Sequence, residues 1–211
     1  MSKRLYLLDF DRTLFDTTKF QEVIGRILSP EDPQAFHRDI PKYSDERTGY
    51  YSVMKQAQTM TGLSRDQTLA LFAKHIPDEE YCYTDVPRWI KDHKKPGVAL
   101  AIITVGGPDY QGLKFEHAPC LNGIPKHLIK DSKSGLLAAE LKGQSLPYHV
   151  SYVPGSFDEI YLVDDRRDHL DGLGHLPGVT PVHLARPGGK YSTDPASNET
   201  MHEIKDFGEL A

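Results

Sequence analysis

Asp9 and Asp11 stand two residues apart in Leu7-Leu8-Asp9-Phe10-Asp11-Arg12-Thr13, directly after a short apolar run. While the chain is extended, residues two apart point the same way, so both carboxylates face one side. Such a pair suits a hard cation such as Mg²⁺ and can divide labour as nucleophile and proton donor. Two more polar groups end apolar runs. Ile102-Ile103-Thr104 closes on a hydroxyl before Val105-Gly106-Gly107, where glycines let backbone N–H groups come close to an anion. Ile160-Tyr161-Leu162-Val163 closes on Asp164-Asp165, and adjacent acids at a strand end are costly unless solvated or bound to a cation. Each signal alone has a plain reading as a turn, a cap or a solvated acidic pair. Together they point to one crevice.

The elements that must position these groups follow from hydrophobic pattern. Strands are predicted over 5–10, 98–104, 160–163 and 182–185, with a weaker one over 127–130. The first three are apolar on both faces, as in a sheet covered by helices. Helices are predicted over 86–93, 134–141 and 167–173, with a closing helical turn over 199–207. Strands alternating with helices predict an α/β fold with a doubly wound parallel sheet. In such sheets ligands bind outside the carboxyl ends of the strands, where Asp9, Asp11, Thr104, Asp164 and Asp165 all fall.

Residues 17–84 break this alternation. Phe20, Val23, Ile24, Ile27 and Leu28 share helical spacing, as do Tyr50, Val53, Met54, Ala57 and Met60. Ser64 with Gln67 forms a capping box for a third helix that runs to Ile76 before Pro77, while Pro30, Pro33 and Pro41 mark irregular connections. The expected organisation is a core domain over 1–16 and 85–211 with a small α-helical cap domain over 17–84. Phe15 and Asp16 would frame the entrance. Lys19, Arg26, His37, Arg38, Lys42, Tyr43 and Arg47 of the cap read mainly as a solvated face.

The 211-residue chain is 38% hydrophobic and 26% charged, ordinary for a globular protein, with a net charge of −5. That charge argues against nucleic-acid binding and means that an anionic substrate needs a metal ion or a local cluster of cations. Cys82 and Cys120 form no CxxC pair, and the apolar run before Asp9 is too short for a signal peptide or a membrane span. A cytoplasmic protein with no membrane partner is expected, and the sequon at 198–200 then has no meaning. The ten histidines form no recognised ligand set; His169 and His175, six apart, read as ordinary histidines. Pro187-Gly188-Gly189-Lys190 reads as a turn because Tyr191 follows where a phosphate loop needs Ser or Thr. Gly172-Leu173-Gly174 lacks the third glycine of a dinucleotide loop, and Trp89 reads as packing a core helix on the sheet.

With these residues in place, the chain resembles the haloacid dehalogenase-like superfamily of phosphohydrolases over nearly its whole length. Asp9, Asp11 and Thr13 match the DxDxT first motif, Thr104 the second, and Asp164 with Asp165 the fourth. The third motif is a single lysine near a helix start. Lys133 fits best, with Lys126, Lys130 and Lys142 as rivals. A helical insert between motifs one and two resembles the first cap class. The resemblance implies a small phosphomonoester as substrate and an aspartyl-phosphate formed on Asp9, with Asp11 as acid and then base. It implies Mg²⁺ held by Asp9, the backbone carbonyl of Asp11 and Asp164. Thr104, Val105, Gly106 and Lys133 would hold the phosphoryl oxygens, and Thr13 and Asp165 would support these groups from behind. Two alternatives stay open. One is a phosphomutase or phosphotransferase using the same intermediate; the other is a non-catalytic phosphate-binding regulatory relative. A carbon–halogen hydrolase is disfavoured, since that chemistry requires neither Asp11 nor a metal. Neither the substrate nor the oligomeric state is legible.

Overall fold

A computed structural model of the chain describes residues 3–45, 50–130, 132–193 and 201–210. Arg47, the sequon at 198–200 and the start of the predicted closing turn lie outside the described residues. In chain order the elements are β1 (Arg4–Leu8), α1 (Thr17–Leu28), α2 (Pro33–Asp39), α3 (Val53–Thr61), α4 (Arg65–His75) and α5 (Val86–His93). There follow β2 (Val98–Val105), α6 (Pro108–Glu116), β3 (Lys126–Ile129), α7 (Lys133–Leu141), β4 (Tyr148–Val150) and β5 (Val153–Phe157). The last are β6 (Glu159–Asp164), β7 (Val179–Leu184) and β8 (His202–Ile204). Contacts divide the chain into two compact units: Met1–Phe15 with Cys82–Val105 and Cys120–Ala211, and Asp16–Tyr81 with Gly106–Pro119.

The first unit is built on a parallel sheet in the order β3-β2-β1-β6-β7-β8, so the strand carrying Asp9 lies in its interior. Leu5 to Leu8 are wholly buried because alternate residues meet opposite layers. Tyr6 meets Trp89 of α5 edge-on, with ring centroids 5.1 Å apart. Leu5 and Leu7 instead join Leu137 and Leu141 of α7 and the antiparallel pair β4–β5 in one apolar cluster. Trp89 is further fixed by donating from Nε1 to the Leu210 carbonyl at 2.8 Å. Phe15 is also wholly buried, packed 5.0 Å from Phe10, and so belongs to the core rather than to an entrance.

Register places the chemistry. Leu8 pairs with Ile102 on one side and Val163 on the other. The Asp9 N–H continues the ladder by donating to the Val163 carbonyl at 2.9 Å. One step beyond those partners, Asp9 and Asp164 fall side by side at the carboxyl edge.

The second unit holds α1 to α4 together with α6. Asp16 is the N-cap of α1, accepting from the Lys19 N–H at 2.9 Å, which accounts for this acid without any role at an entrance. Ser64 and Gln67 make the reciprocal capping box at the start of α4. Lys19, Arg26, Arg38 and Lys42 pair with Glu79, Glu22, Asp32 and Asp39 on the surface. Gly107 is required by packing inside this unit: a Cβ there would lie 2.4 Å from the Tyr51 carbonyl oxygen.

Three sequence-based expectations need correction. Helix α2 begins with Pro33 at its first position, where the missing N–H costs nothing, so Pro33 starts a helix rather than marking an irregular connection. The helix expected over 167–173 is a single 3₁₀ turn, Arg167–His169, and Gly172 beyond it takes a positive φ of 83°. The closing segment forms β8 and a 3₁₀ turn at Phe207–Glu209, not a helix. Among the described residues no helix is long and apolar enough to cross a membrane.

Candidate active site

A cavity of about 180 Å³ opens at the carboxyl edge of the sheet, lined by Asp9, Asp11, Arg12, Val105, Lys133, Asp164, Asp165, Arg166, His169 and Tyr191. That is smaller than the several hundred Å³ typical of drug-sized ligand sites and suits a small molecule. All the lining residues belong to the first unit.

Lys133 is the centre of the site. It opens α7, and its Nζ donates to Asp9 Oδ1 and, at 2.5 Å, to Asp164 Oδ2. Only 1% of Lys133 is exposed, against 4% of Asp9 and none of Asp164. Of the rival lysines, Lys130 and Lys142 are exposed, and Lys130 lines a separate hollow with Ile129, Ser132, Gly135 and Leu136. Lys126 stands at the amino end of β3, opposite the site.

Three carboxylates, of Asp9, Asp164 and Asp165, converge so that one oxygen of each lies within 4.8 Å of the others, and all three residues are buried. One ammonium does not balance that charge. Burial, with Asp164 and Asp11 adding and Lys133 opposing, pushes the Asp9 carboxyl up to about 6. Burial likewise raises Asp165, with the charges of Asp9 and Asp164 adding, to about 9. Burial acts the same way on Asp164, but Lys133 and His169 outweigh it and hold that carboxyl down at about 2. Lys133 is raised: burial lowers it, but the charges of Asp164 and Asp9 prevail. An all-oxygen donor set short of positive charge is what a hard divalent cation fits. Asp11 lines the same cavity outside this converging trio of side chains.

The supporting contacts are equally specific. Thr13 is wholly buried; its Oγ1 accepts from the Asp165 N–H at 3.1 Å and its carbonyl from Arg186 Nε and Nη2 at 3.2 and 2.9 Å. Arg186 also reaches Asp85 Oδ2 at 3.1 Å and lies 3.9 Å over the Tyr83 ring. The Asp165 carbonyl is 3.1 Å from Nε2 of buried His183. The Arg166 N–H donates to Asp164 Oδ1 at 2.9 Å. Val105 ends β2 on the cavity wall, and Thr104 before it is 1% exposed. Gly106, which follows, is not a lining residue; a Cβ there would lie 2.5 Å from Gln111 Nε2.

Sequence reasoning passed over four lining residues, Arg12, Arg166, His169 and Tyr191. His169 Nδ1 lies 3.1 Å from Asp164 Oδ2 and 3.3 Å from Lys133 Nζ. His169 is the last residue of the 3₁₀ turn at Arg167–His169. Tyr191 comes from the turn after β7, with the Arg166 guanidinium 5.6 Å over its ring. Arg12 was legible only as the unspecified position of DxDxT.

No protein-family model matches the chain, and a search of curated proteins finds no match. Solved structures do match. A protein from Burkholderia xenovorans described as a haloacid dehalogenase-like hydrolase aligns with a TM-score of 0.65 and 18% identity, covering 100% of this chain and 95% of that one. The Bacillus subtilis HAD-hydrolase YfnB, bound to magnesium in its structure, aligns at 0.57 and 14%, covering 100% and 97%. The L-2-haloacid dehalogenase RSc1362 aligns at 0.60 and 16%, covering 100% and 97%. At 14–18% identity these likenesses speak to architecture, and on that ground the chain has the fold of the haloacid dehalogenase-like hydrolases.

Proposed function

We propose that the chain is a Mg²⁺-dependent phosphohydrolase that cleaves a small phosphomonoester through an aspartyl-phosphate on Asp9, in the cytoplasm. The observation that carries this reading is the buried Asp9–Lys133–Asp164 bridge with Asp165 beside it. A neighbouring dehalogenase makes carbon–halogen hydrolysis the rival chemistry. The extra acids favour phosphoryl transfer: Asp11 on the cavity wall supplies a proton donor, and the converging trio supplies a cation site, neither of which halide displacement requires.

Asp9 attacks phosphorus, forming the acyl-phosphate bond as the ester P–O bond breaks. Asp11 gives its proton to the departing alkoxide, then takes one from the water that hydrolyses the intermediate. Lys133, fixed by two carboxylates, keeps Asp9 oriented and offers a charge-assisted donor to a phosphoryl oxygen, with the Thr104 hydroxyl as a second donor. Mg²⁺ held by Asp9 and Asp164, with Asp165 adjacent, would screen the phosphoryl charge from the nucleophile. The test is release of inorganic phosphate from a panel of small phosphomonoesters, with Mg²⁺ and with EDTA, beside halide release from 2-haloacids. Mg²⁺-dependent phosphate release is expected; halide release alone would replace this reading with the dehalogenase one.

A further inference from the structure

Arg12 is placed unusually. It is the sole described non-glycine residue with a positive φ, 61°, a region that a side chain with a Cβ adopts only when its surroundings impose it. The surroundings are visible. The Arg12 N–H donates to the Phe15 carbonyl at 2.9 Å, and the Leu14 and Phe15 N–H groups both donate to Phe10, at 3.0 and 2.9 Å. This closed loop directs the Arg12 side chain to the cavity wall, next to Asp9 and Asp11. There its Nε is buried without a hydrogen-bond acceptor; its charge acts on the Asp165 carboxyl, but no hydrogen bond joins the two.

The other cations on the wall are engaged. Lys133 is held by Asp9 and Asp164. Arg166 donates from Nε and Nη2 to Asp168 at 3.0 and 2.5 Å. A buried guanidinium N–H without an acceptor is costly, and the guanidinium fork matches carboxylate or phosphate oxygens in a two-point contact. An anionic ligand group satisfies it.

We propose that Arg12 is a specificity residue whose guanidinium binds a second anionic group, a carboxylate or a phosphate, on the phosphomonoester held at Asp9. The inference rests on the phosphohydrolase reading of the site. It narrows the substrate class to small esters with two anionic ends.

Binding tests it without requiring turnover. Calorimetry on Asp9→Asn protein with Mg²⁺ would compare propyl phosphate, 3-(phosphonooxy)propanoate and propane-1,3-diyl bisphosphate. Either dianionic-ended ester, and whichever of the two gains more identifies the group, should bind about tenfold or more tightly than propyl phosphate, the scale of one charge-assisted contact. Arg12→Asn, suited to a positive φ, should abolish the preference, and Arg12→Lys should restore part of it. Unfolding midpoints would verify that the variants are folded. Equal binding of all three esters with Arg12 present overturns the proposal. So does an Arg12→Asn protein that keeps the preference, or one that loses affinity for all three alike, which would assign Arg12 to the transferred phosphoryl. Phosphate release by the wild type is scored separately: none, with the binding preference intact, sinks the hydrolase reading and leaves the specificity of Arg12 standing.

Discussion

The hydroxyl of Thr13 accepts the backbone N–H of Asp165 at 3.1 Å, although the two residues are 152 positions apart. This bond ties the loop after β1 to the loop after β6, and so sets Asp9 and Asp11 against Asp164 and Asp165. Thr13→Val keeps the shape and removes the acceptor. A buried N–H left unsatisfied costs about 1–3 kcal/mol, so the unfolding midpoint should fall by several degrees and Mg²⁺ should bind more weakly. Thermal unfolding with and without Mg²⁺ checks both effects. Unchanged metal affinity would mean that the bond does not align the acids.

In the proposed mechanism Asp9→Asn deletes the nucleophile and removes a charge from the proposed cation site while nearly preserving shape. The expected loss is at least about 10³-fold in kcat, roughly 4 kcal/mol, with circular dichroism unchanged. A variant keeping more than about a tenth of wild-type kcat, a loss under ~1.4 kcal/mol, would end the covalent mechanism.

Lys133→Ala should lower kcat/KM by about 10²-fold or more, roughly 2.7 kcal/mol, while Lys126→Ala and Lys142→Ala stay near wild type. It leaves Asp9 and Asp164 as uncompensated buried charges, so the metal-free variant should also lose about 3–5 kcal/mol of stability. A large kinetic defect in Lys130→Ala instead would move the lysine role one segment along the chain.

Stability should depend on pH in a direction opposite to that of ordinary salt-bridged acids. Asp9 and Asp165 titrate higher in the fold, about 6 and about 9, than in an unfolded chain, where a carboxyl titrates near ~3.9. The folded state therefore holds more protons, and their contribution, complete below about pH 4, is lost as pH rises through about 6 and then about 9. Asp164, held at about 2, acts oppositely, but only below about pH 4. In EDTA the unfolding midpoint should fall between about pH 5 and 9, and the gain on adding Mg²⁺ should grow over the same range. A gain from Mg²⁺ that is flat across that range would count against a cation among these acids.

What the sequence made legible was what local pattern controls. Leu5 to Leu8, apolar on both faces, read as an interior strand, and parallel register then puts Asp9 beside Asp164. Lys133 was the preferred of four lysines that the resemblance left open, for its place between a strand and the start of a helix, and it lies beside Asp9. What escaped depended on tertiary context. Pro33 looks like an irregular connection until it is seen to occupy the first position of α2, where proline is tolerated. His169 looked idle because the ten histidines show no ligand spacing, whereas the chain forms a 3₁₀ turn at Arg167–His169, with Gly172 at a positive φ beyond it, and sets this ring beside Asp164. The cavity-facing placement of Arg12 depends on the bonds that close the loop from Phe10 to Phe15, which no spacing rule reveals.

The interior position of β1 has a consequence for biosynthesis. Its partners are β2 at Val98–Val105 and β6 at Glu159–Asp164, so the ribosome makes the strand carrying Asp9 long before either neighbour exists. At about 5–20 residues per second, roughly 8–30 s pass between the emergence of β1 and the completion of β6. Until β2 is made, Leu5, Leu7 and Leu8 form an apolar segment with both hydrogen-bonding edges bare, and one edge stays bare until β6 is complete, the feature that draws nascent chains into aggregates or onto chaperones. The geometry that buries Asp9 so well in the finished protein leaves the strand before it the longest unprotected during translation.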